Sequence, residues 1–555
     1  MQLTRGMRCS RHRPSRIAGN LALALVCWGC SAKTPDTPAP LSRVARSRAG
    51  MVVTGSEPAT AAGVQILEAG GNAIDAAVAV GFALAVAEPT QSGLGGRTQV
   101  VWRDGQGRVQ GLDATTEVPV GFDPASAPGG DYGWSAVAIP GTVAGLAALH
   151  RSGGVLAWER VLQPAIRLAE EGFSLSPGEA ERLSSASAEL ATDPGARAHF
   201  LKPDGSTYQA GERLVQRALG ATLRQLAEGG AEAFYQGPLA DVIAREMAAA
   251  GGLVTAADLA GYRARPALVG HGRFRDLELW GSYLPASGLT TIEALQILDR
   301  VDLSGDVAHW QATLAQALLM AFADREGVTG SPDQIAAEIT SQARADRRAA
   351  ELAGALGLVG AAPGAGVDRE HPNTTHVSIV DGAGVAVSLT QSLGPTGGAR
   401  VASLQLGFLY ASTLGYLVDL QPGARPWSSQ SPLIVLREGQ LAYVLGGAGS
   451  RRIISALVST LVRLGDQGMD LESALAAPRL HPSEDRLTLE VGTGVEGADW
   501  AAGDGRESGF VLTTEAFGVY FARLNGIAVD PVTGELLGVG DPRWPWSAAA
   551  GPDSW

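Results

Sequence analysis

Asn373-Thr374-Thr375-His376-Val377-Ser378-Ile379-Val380-Asp381 is the stretch on which the reading of this 555-residue chain turns. Residues 376–381 read as a strand, Gly382-Ala383-Gly384 as a turn, and residues 385–392 as the returning strand of a hairpin. The segment before it, residues 354–370, is rich in Gly, Ala and Pro without a sustained period, and it predicts a mobile loop. A loop, then a threonine, then a rigid strand is the arrangement that a self-cleaving chain needs. A threonine hydroxyl is a poor nucleophile near neutral pH unless a base stands beside it. Breaking the bond before Thr374 frees an α-amine with a pKa of roughly 7.7–8.0, and that amine is the base. Taken alone, Asn373 to His376 also fits the polar start of an ordinary strand. The Gly-rich turn Gly446-Gly447-Ala448-Gly449-Ser450 offers backbone donors to an oxyanion, and it fits a plain strand-to-helix connection as well.

Outward from this hairpin the chain alternates element types. Residues 432–437 and 441–445 form a second hairpin, and residues 453–464 a helix with apolar 3–4 spacing. Upstream, order begins at Met51, a helix fits 59–69, and Asn72 caps a second helix over 73–86 with Asp75 in its first turn. Residues 98–103 and 108–113 flank the turn Asp104-Gly105-Gln106-Gly107. A long, mostly helical region follows, with helices at 141–151, 158–171 and 239–249 and an amphipathic stretch over 335–352. Helices mixed with antiparallel strands predict layers of helix over sheet.

Composition narrows the function. A net charge of -13 argues against a nucleic-acid partner, because no basic stripe is available to neutralise phosphates. The main basic cluster, Arg5 to Arg16, precedes a short apolar run, Leu21 to Val26, too short to span a bilayer. Residues 1–30 therefore read as a secretory signal, with Cys30 the lipidated residue of a lipoprotein-type leader, or else as a plain cleaved signal. Residues 31–50 read as a disordered linker. The expected location is extracytoplasmic, with the membrane reached only through a lipid anchor. All three cysteines (Cys9, Cys27 and Cys30) sit in the leader, so the folded body has neither a disulfide framework nor a thiolate metal site. The eight histidines show no ligand spacing, so neither metal nor cofactor is expected.

Ten short stretches in order over residues 51–543 carry a resemblance. They include Gly70-Gly-Asn-Ala-Ile-Asp-Ala-Ala-Val-Ala79, Glu88-Pro89 with Ser92-Gly-Leu-Gly-Gly96, Pro140-Gly-Thr-Val-Ala-Gly145 and Gln163-Pro-Ala165. Gly251-Gly-Leu-Val-Thr255, Asn373-Thr-Thr-His376 and Val387-Ser-Leu-Thr-Gln-Ser392 continue the series. Arg425-Pro-Trp-Ser-Ser-Gln-Ser-Pro432, Ala477-Pro-Arg479 and Asp541-Pro-Arg543 complete it. The chain resembles the gamma-glutamyltransferase (gamma-glutamyltranspeptidase) family. The resemblance implies an α+β fold, a four-layer αββα sandwich of the N-terminal nucleophile hydrolase type. It implies self-cleavage between Asn373 and Thr374 into a large (51–373) and a small (374–555) fragment that stay together as one intertwined domain. Thr374 would then attack a γ-glutamyl or related small-molecule amide and hold an acyl-enzyme until water or an acceptor amine takes the acyl group. By the same resemblance Thr390 hydrogen-bonds the nucleophile, Gly449 and Ser450 supply the oxyanion hole, and Ser428 and Ser429 contact the substrate's α-carboxylate.

The departures concern substrate recognition. Thr115 stands where the family has an Arg that pairs with the α-carboxylate, and threonine cannot replace a bidentate guanidinium. Tyr416 stands in place of the Asp that binds the α-amine, and Ser392 in place of an Asn that helps bind the same group. Arg97 interrupts the Gly-rich run; it reads as a surface arginine beside a loop, the other reading being a displaced cation for the substrate. Two functions fit: an acylase whose amide substrate lacks an amino-acid head group, or a non-catalytic surface homologue. Retention of Thr374, Thr390, Ser428 and Ser429 favours the acylase.

Overall fold

The computed structural model describes residues 41–126, 130–304, 307–355, 373–415, 417, 420–483, 486–494 and 511–554. Two seven-stranded sheets lie at its centre, every neighbouring pair antiparallel. The first runs Ala548–Ala550, Gly50–Thr54, Asn373–Asp381, Ala386–Gly394, Arg97–Arg103, Val109–Ala114, Arg265–Pro266. The second runs Val44–Ser47, Leu536–Gly540, Arg523–Val529, Gln440–Ala448, Leu433–Arg437, Leu277–Tyr283, Leu268–Phe274.

The twofold alternation of a strand explains how the sheets stack. On Asn373–Asp381, Val377 and Ile379 join the core beneath the helices Glu57–Glu68 and Ala73–Ala87. Val380 faces the other way, into an inter-sheet core with Ile434, Val444 and Ile527 of the second sheet. Hydroxyls stitch the two sheets together where apolar side chains give out. Ser378 Oγ donates to Asn525 O (3.1 Å), and Ser388 Oγ donates to Leu445 O (2.8 Å) while accepting from Leu433 N (3.1 Å). The outer face of the second sheet packs under Gly288–Leu298, Val307–Gly327 and Arg452–Gly465. The layer order is helix, sheet, sheet, helix, the αββα sandwich expected from the resemblance.

Local signals explain most boundaries. Asn72 accepts from Asp75 N and Asp75 Oδ2 accepts from Asn72 N (both 3.0 Å), a capping box that opens the wholly buried helix Ala73–Ala87. Three expectations change. The segment 31–50, read as linker, contains the edge strand Val44–Ser47, which pairs with Leu536–Val539. The mostly helical region also holds the hairpin Leu268–Phe274 with Leu277–Tyr283. The amphipathic stretch 335–352 is two helices, Pro332–Ile339 and Gln342–Ala355, broken where Ser341 Oγ accepts from Arg344 N (3.1 Å). The leader with Cys30, and the loop beyond residue 355, lie outside the described residues.

The two resemblance stretches nearest the C-terminus meet in a buried ion cluster. Arg479 pairs with Asp541 (2.6 Å), Arg543 with both Asp541 (3.2 Å) and Glu490, and all four side chains are fully buried. Burial alone would raise the Asp541 carboxyl, but the guanidinium groups of Arg479 and Arg543 hold it below the usual carboxylate range. Asp541 also accepts from Leu524 N (2.8 Å), which fixes the start of the strand Arg523–Val529. Among the described residues no helix is long and apolar enough to cross a membrane.

Candidate active site

Thr374 sits at the head of its strand, 6% exposed, and the ladder is irregular at that point. Asn373 pairs with Gly394 and Thr374 with Ser392, so Leu393 is left over as a bulge; its N–H bonds Gln91 O (3.1 Å) instead. The bulge brings Ser392 against the 373–374 peptide. Thr374 Oγ1 donates to Ser392 Oγ (3.1 Å), and Ser392 Oγ donates to the carbonyl of Asn373 (2.9 Å) while accepting from Gly394 N (2.9 Å). One hydroxyl therefore touches both the attacking oxygen and the carbonyl it would attack. Asn373 Nδ2 is fixed on Thr396 Oγ1 (2.6 Å).

This corrects the roles drawn from the resemblance. Thr390 does not reach Thr374: the register sets it opposite His376, whose Nδ1 lies 2.8 Å from Thr390 Oγ1. Ser392, read as the relic of an amine-binding Asn, is the hydroxyl that meets Thr374. The error was two residues of register, which keeps a side chain on the same face of the strand but moves it about 7 Å along. His376 is buried against Gly446, where an added Cβ would fall 2.2 Å from the ring, and burial pushes its pKa down to about 3. It is a neutral spacer between the sheets. Replacing Ser392 by alanine removes the donor to the Asn373 carbonyl, and self-cleavage is expected to slow about 10²–10³-fold. Ser392→Thr keeps the hydroxyl and should stay near the wild-type rate. Densitometry of precursor against time gives the comparison; an unchanged Ser392→Ala rate excludes the donor role.

The Gly-rich turn has an unusual backbone. It follows Gln440–Ala448, whose last residue pairs with Arg523, and Arg523 Nη2 donates to Thr374 O (2.6 Å). Gly449 has φ +143° and Ser450 φ +63°, the left-handed region that L residues avoid. A Cβ at Gly449 would meet Ala522 at 2.6 Å, so the turn tolerates serine at its second position but no side chain at its first.

The residues expected to meet the substrate are buried and held by hydrogen bonds of their own. Ser428 and Ser429 are buried, and Ser428 is held through its N–H on Pro285 O (2.7 Å) and its carbonyl on Ser287 Oγ (2.7 Å). Gln430 Nε2 ties the segment to Thr390 O (3.0 Å). Thr115 is fully buried: its hydroxyl accepts from Gln99 Nε2 (2.5 Å) and its carbonyl from Tyr262 OH (2.6 Å). The nearby Arg425 is neutralised by Asp113 (2.6 Å) and Glu117 (3.0 Å) and lies over the Tyr262 ring. Arg97 is not a surface residue. It is 6% exposed and pairs with Ser392, one strand beyond Thr374. Tyr416 lies outside the described residues. Sequence reasoning missed Arg523, which bonds the carbonyl of Thr374, and Gln91, which bonds Arg523. No motif marks either one. No cluster of metal-holding side chains occurs among the described residues.

Comparison with known proteins identifies relatives of the chain. The Gamma-glutamyltranspeptidase family model matches residues 59–551. The chain is 35% identical to the Acylase ACY 1 proenzyme of Pseudomonas sp. (strain V22), covering 82% of this chain and 88% of the relative. It is 31% identical to the Glutathione hydrolase proenzyme of Escherichia coli (strain K12), over 95% and 97% of the two chains. Among solved structures, the cephalosporin acylase from Bacillus halodurans superposes with a TM-score of 0.83 at 27% identity, covering 93% of this chain and 98% of that one. With a family model spanning nearly all of its folded body and relatives that are made as proenzymes, the chain belongs to the gamma-glutamyltranspeptidase family, as an N-terminal-nucleophile-type hydrolase or acylase.

Proposed function

We propose that the chain cuts itself between Asn373 and Thr374 and then hydrolyses an amide whose acyl group lacks a free amino-acid head group. The observation that carries the reading is the contact of Ser392 Oγ with both Thr374 Oγ1 (3.1 Å) and Asn373 O (2.9 Å). In the precursor, Thr374 Oγ1 attacks the Asn373 carbonyl carbon, the C–N bond breaks, and the proton passes to the departing nitrogen. Water hydrolyses the resulting ester, leaving the Asn373 carboxylate and a free Thr374 α-amine. In turnover that amine takes the proton from Thr374 Oγ1 as the hydroxyl attacks the substrate carbonyl. The N–H groups of Gly449 and Ser450 receive the oxyanion, the amine product leaves with the proton, and water releases the acid.

The substrate reading rests on Thr115 and Arg425. Thr115 brings no charge, and Arg425 already holds two carboxylates, so a bidentate clamp at position 115 is missing. The likeness to proteins named as acylases supports the same direction. The Arg-rich leader supports an extracytoplasmic location with anchoring at Cys30. The test compares chromogenic anilides on purified, self-cleaved protein. Simple acyl anilides are expected to exceed the γ-glutamyl anilide in kcat/KM by about tenfold or more, the loss of one 1.4 kcal/mol contact. The opposite order would restore the glutamyl head group as the natural ligand.

A further inference from the structure

Arg425, Arg479 and Arg543 are each neutralised by carboxylates at contact distance, and Arg523 is not. Its Nη2 donates to Thr374 O (2.6 Å) and to Gln91 Oε1, both uncharged acceptors, and its guanidinium carbon lies 4.2 Å from the centre of the Trp544 ring. Among the described residues no carboxylate lies within ion-pair distance of it, whereas Arg425, Arg479 and Arg543 are each paired. The arginine is itself held from both sides. Gln91 Nε2 donates to the buried Glu179 (3.0 Å), which also accepts from Thr90 N (2.7 Å). Trp544 is fixed by its Nε1 on Gly55 O (2.8 Å) and carries Arg182 at 4.5 Å.

We propose that Arg523 is a positioning residue for the nucleophile: it grips the Thr374 carbonyl, and its unneutralised charge keeps the freed α-amine of Thr374 in the uncharged form that accepts a proton. The inference rests on the proposed cleavage at Thr374, since only a free amine has a proton to lose. Backbone dimensions put that amine roughly 5 Å from the guanidinium. An ammonium so close to a second cation, at a buried position, is disfavoured, and the pKa falls. The groups around Arg523 are Glu88, Glu179, Arg182 and Asp541. Glu88 and Glu179 oppose its charge at longer range, Arg182 adds to it, and Asp541 is taken up by Arg479 and Arg543. On the sheet of Thr374 itself, His376 is neutral. Arg523, bonded to the carbonyl of Thr374 itself, is the charged group that the hydrogen bonds place at this residue. Burial pushes Arg523 down to about 10, so it stays charged at neutral pH.

The amine can be titrated without a substrate. Periodate cleaves an N-terminal threonine only through its free amine, releasing acetaldehyde, and the pH dependence of that release gives the amine's midpoint. For self-cleaved wild-type protein the midpoint is expected about one unit below the ordinary 7.7–8.0. Arg523→Gln keeps a donor but removes the charge, and its midpoint should rise to the ordinary value; Arg523→Lys should stay low. A wild-type midpoint at or above 7.7–8.0 overturns the proposal whether or not the variants fold, and so does a common midpoint for all three proteins. A wild-type chain that remains uncut and releases no acetaldehyde is a different result: it removes the amine and defeats the reading of the active site together with this one.

Discussion

Thr374→Ala is expected to leave the protein as one uncut chain, where the wild type gives two bands on a denaturing gel, the smaller beginning at Thr374. Turnover of any anilide should fall by at least about 10⁴-fold, the scale of removing a nucleophile from a hydrolase. The interpretation is clean because the side chain does little for the fold. The Thr374 side chain hydrogen-bonds Ser392 Oγ, and losing a single such bond costs about 1 kcal/mol. A domain of ordinary stability, about 5–15 kcal/mol, survives that. An alanine variant that still cuts at residue 373 would remove Thr374 from the chemistry altogether.

The second large effect is structural. Asp541→Ala takes one carboxylate from two fully buried guanidinium groups and from the N–H groups of Leu524 (2.8 Å) and Arg543 (3.0 Å). Breaking a buried pair by removing one partner costs about 3–5 kcal/mol, because the remaining charge stays in a dry site. That is a large share of the total, so the urea midpoint should drop steeply and soluble yield with it. Self-cleavage should suffer too, since Leu524 follows Arg523, which holds the Thr374 carbonyl. A variant within about 1 kcal/mol of wild type would mean that the cluster is dispensable for stability.

The sequence was informative where local chemistry sets local structure. The Asn72 cap, the Asp104–Gly107 turn and the hairpin around Gly382–Gly384 are each settled within a few residues, and the structure has all three. The hairpin at 268–283 escaped because its strand signal is weak beside the helices around it, and what holds it is pairing with Leu433–Arg437 far along the chain. The 373–374 junction stood out through its setting. Which hydroxyl meets Thr374 did not, because Thr390 and Ser392 lie on the same face of one strand and only the hairpin register, with Thr374 opposite Ser392, decides between them. Arg97 was misread as exposed, since nothing local tells an arginine at the start of a strand that its neighbours are the centre of a sheet. The ion cluster joins Ala477-Pro-Arg479 to Asp541-Pro-Arg543 across more than sixty residues, a span that short motifs do not report.

The strand order has one more consequence. In the first sheet Gly50–Thr54 lies between Ala548–Ala550 and Asn373–Asp381, and Arg97–Arg103 lies beside Ala386–Gly394; in the second, Val44–Ser47 and Leu277–Tyr283 flank a block drawn from the other side of the 373–374 bond. Severing that bond turns one polypeptide into two without creating a dimer interface in the usual sense. The halves are interleaved within both sheets, so separating them means breaking the fold, and unfolding of the cut protein is coupled to dissociation and depends on its concentration. Dilution should therefore lower the melting temperature of the cut protein and leave that of the uncut chain unchanged.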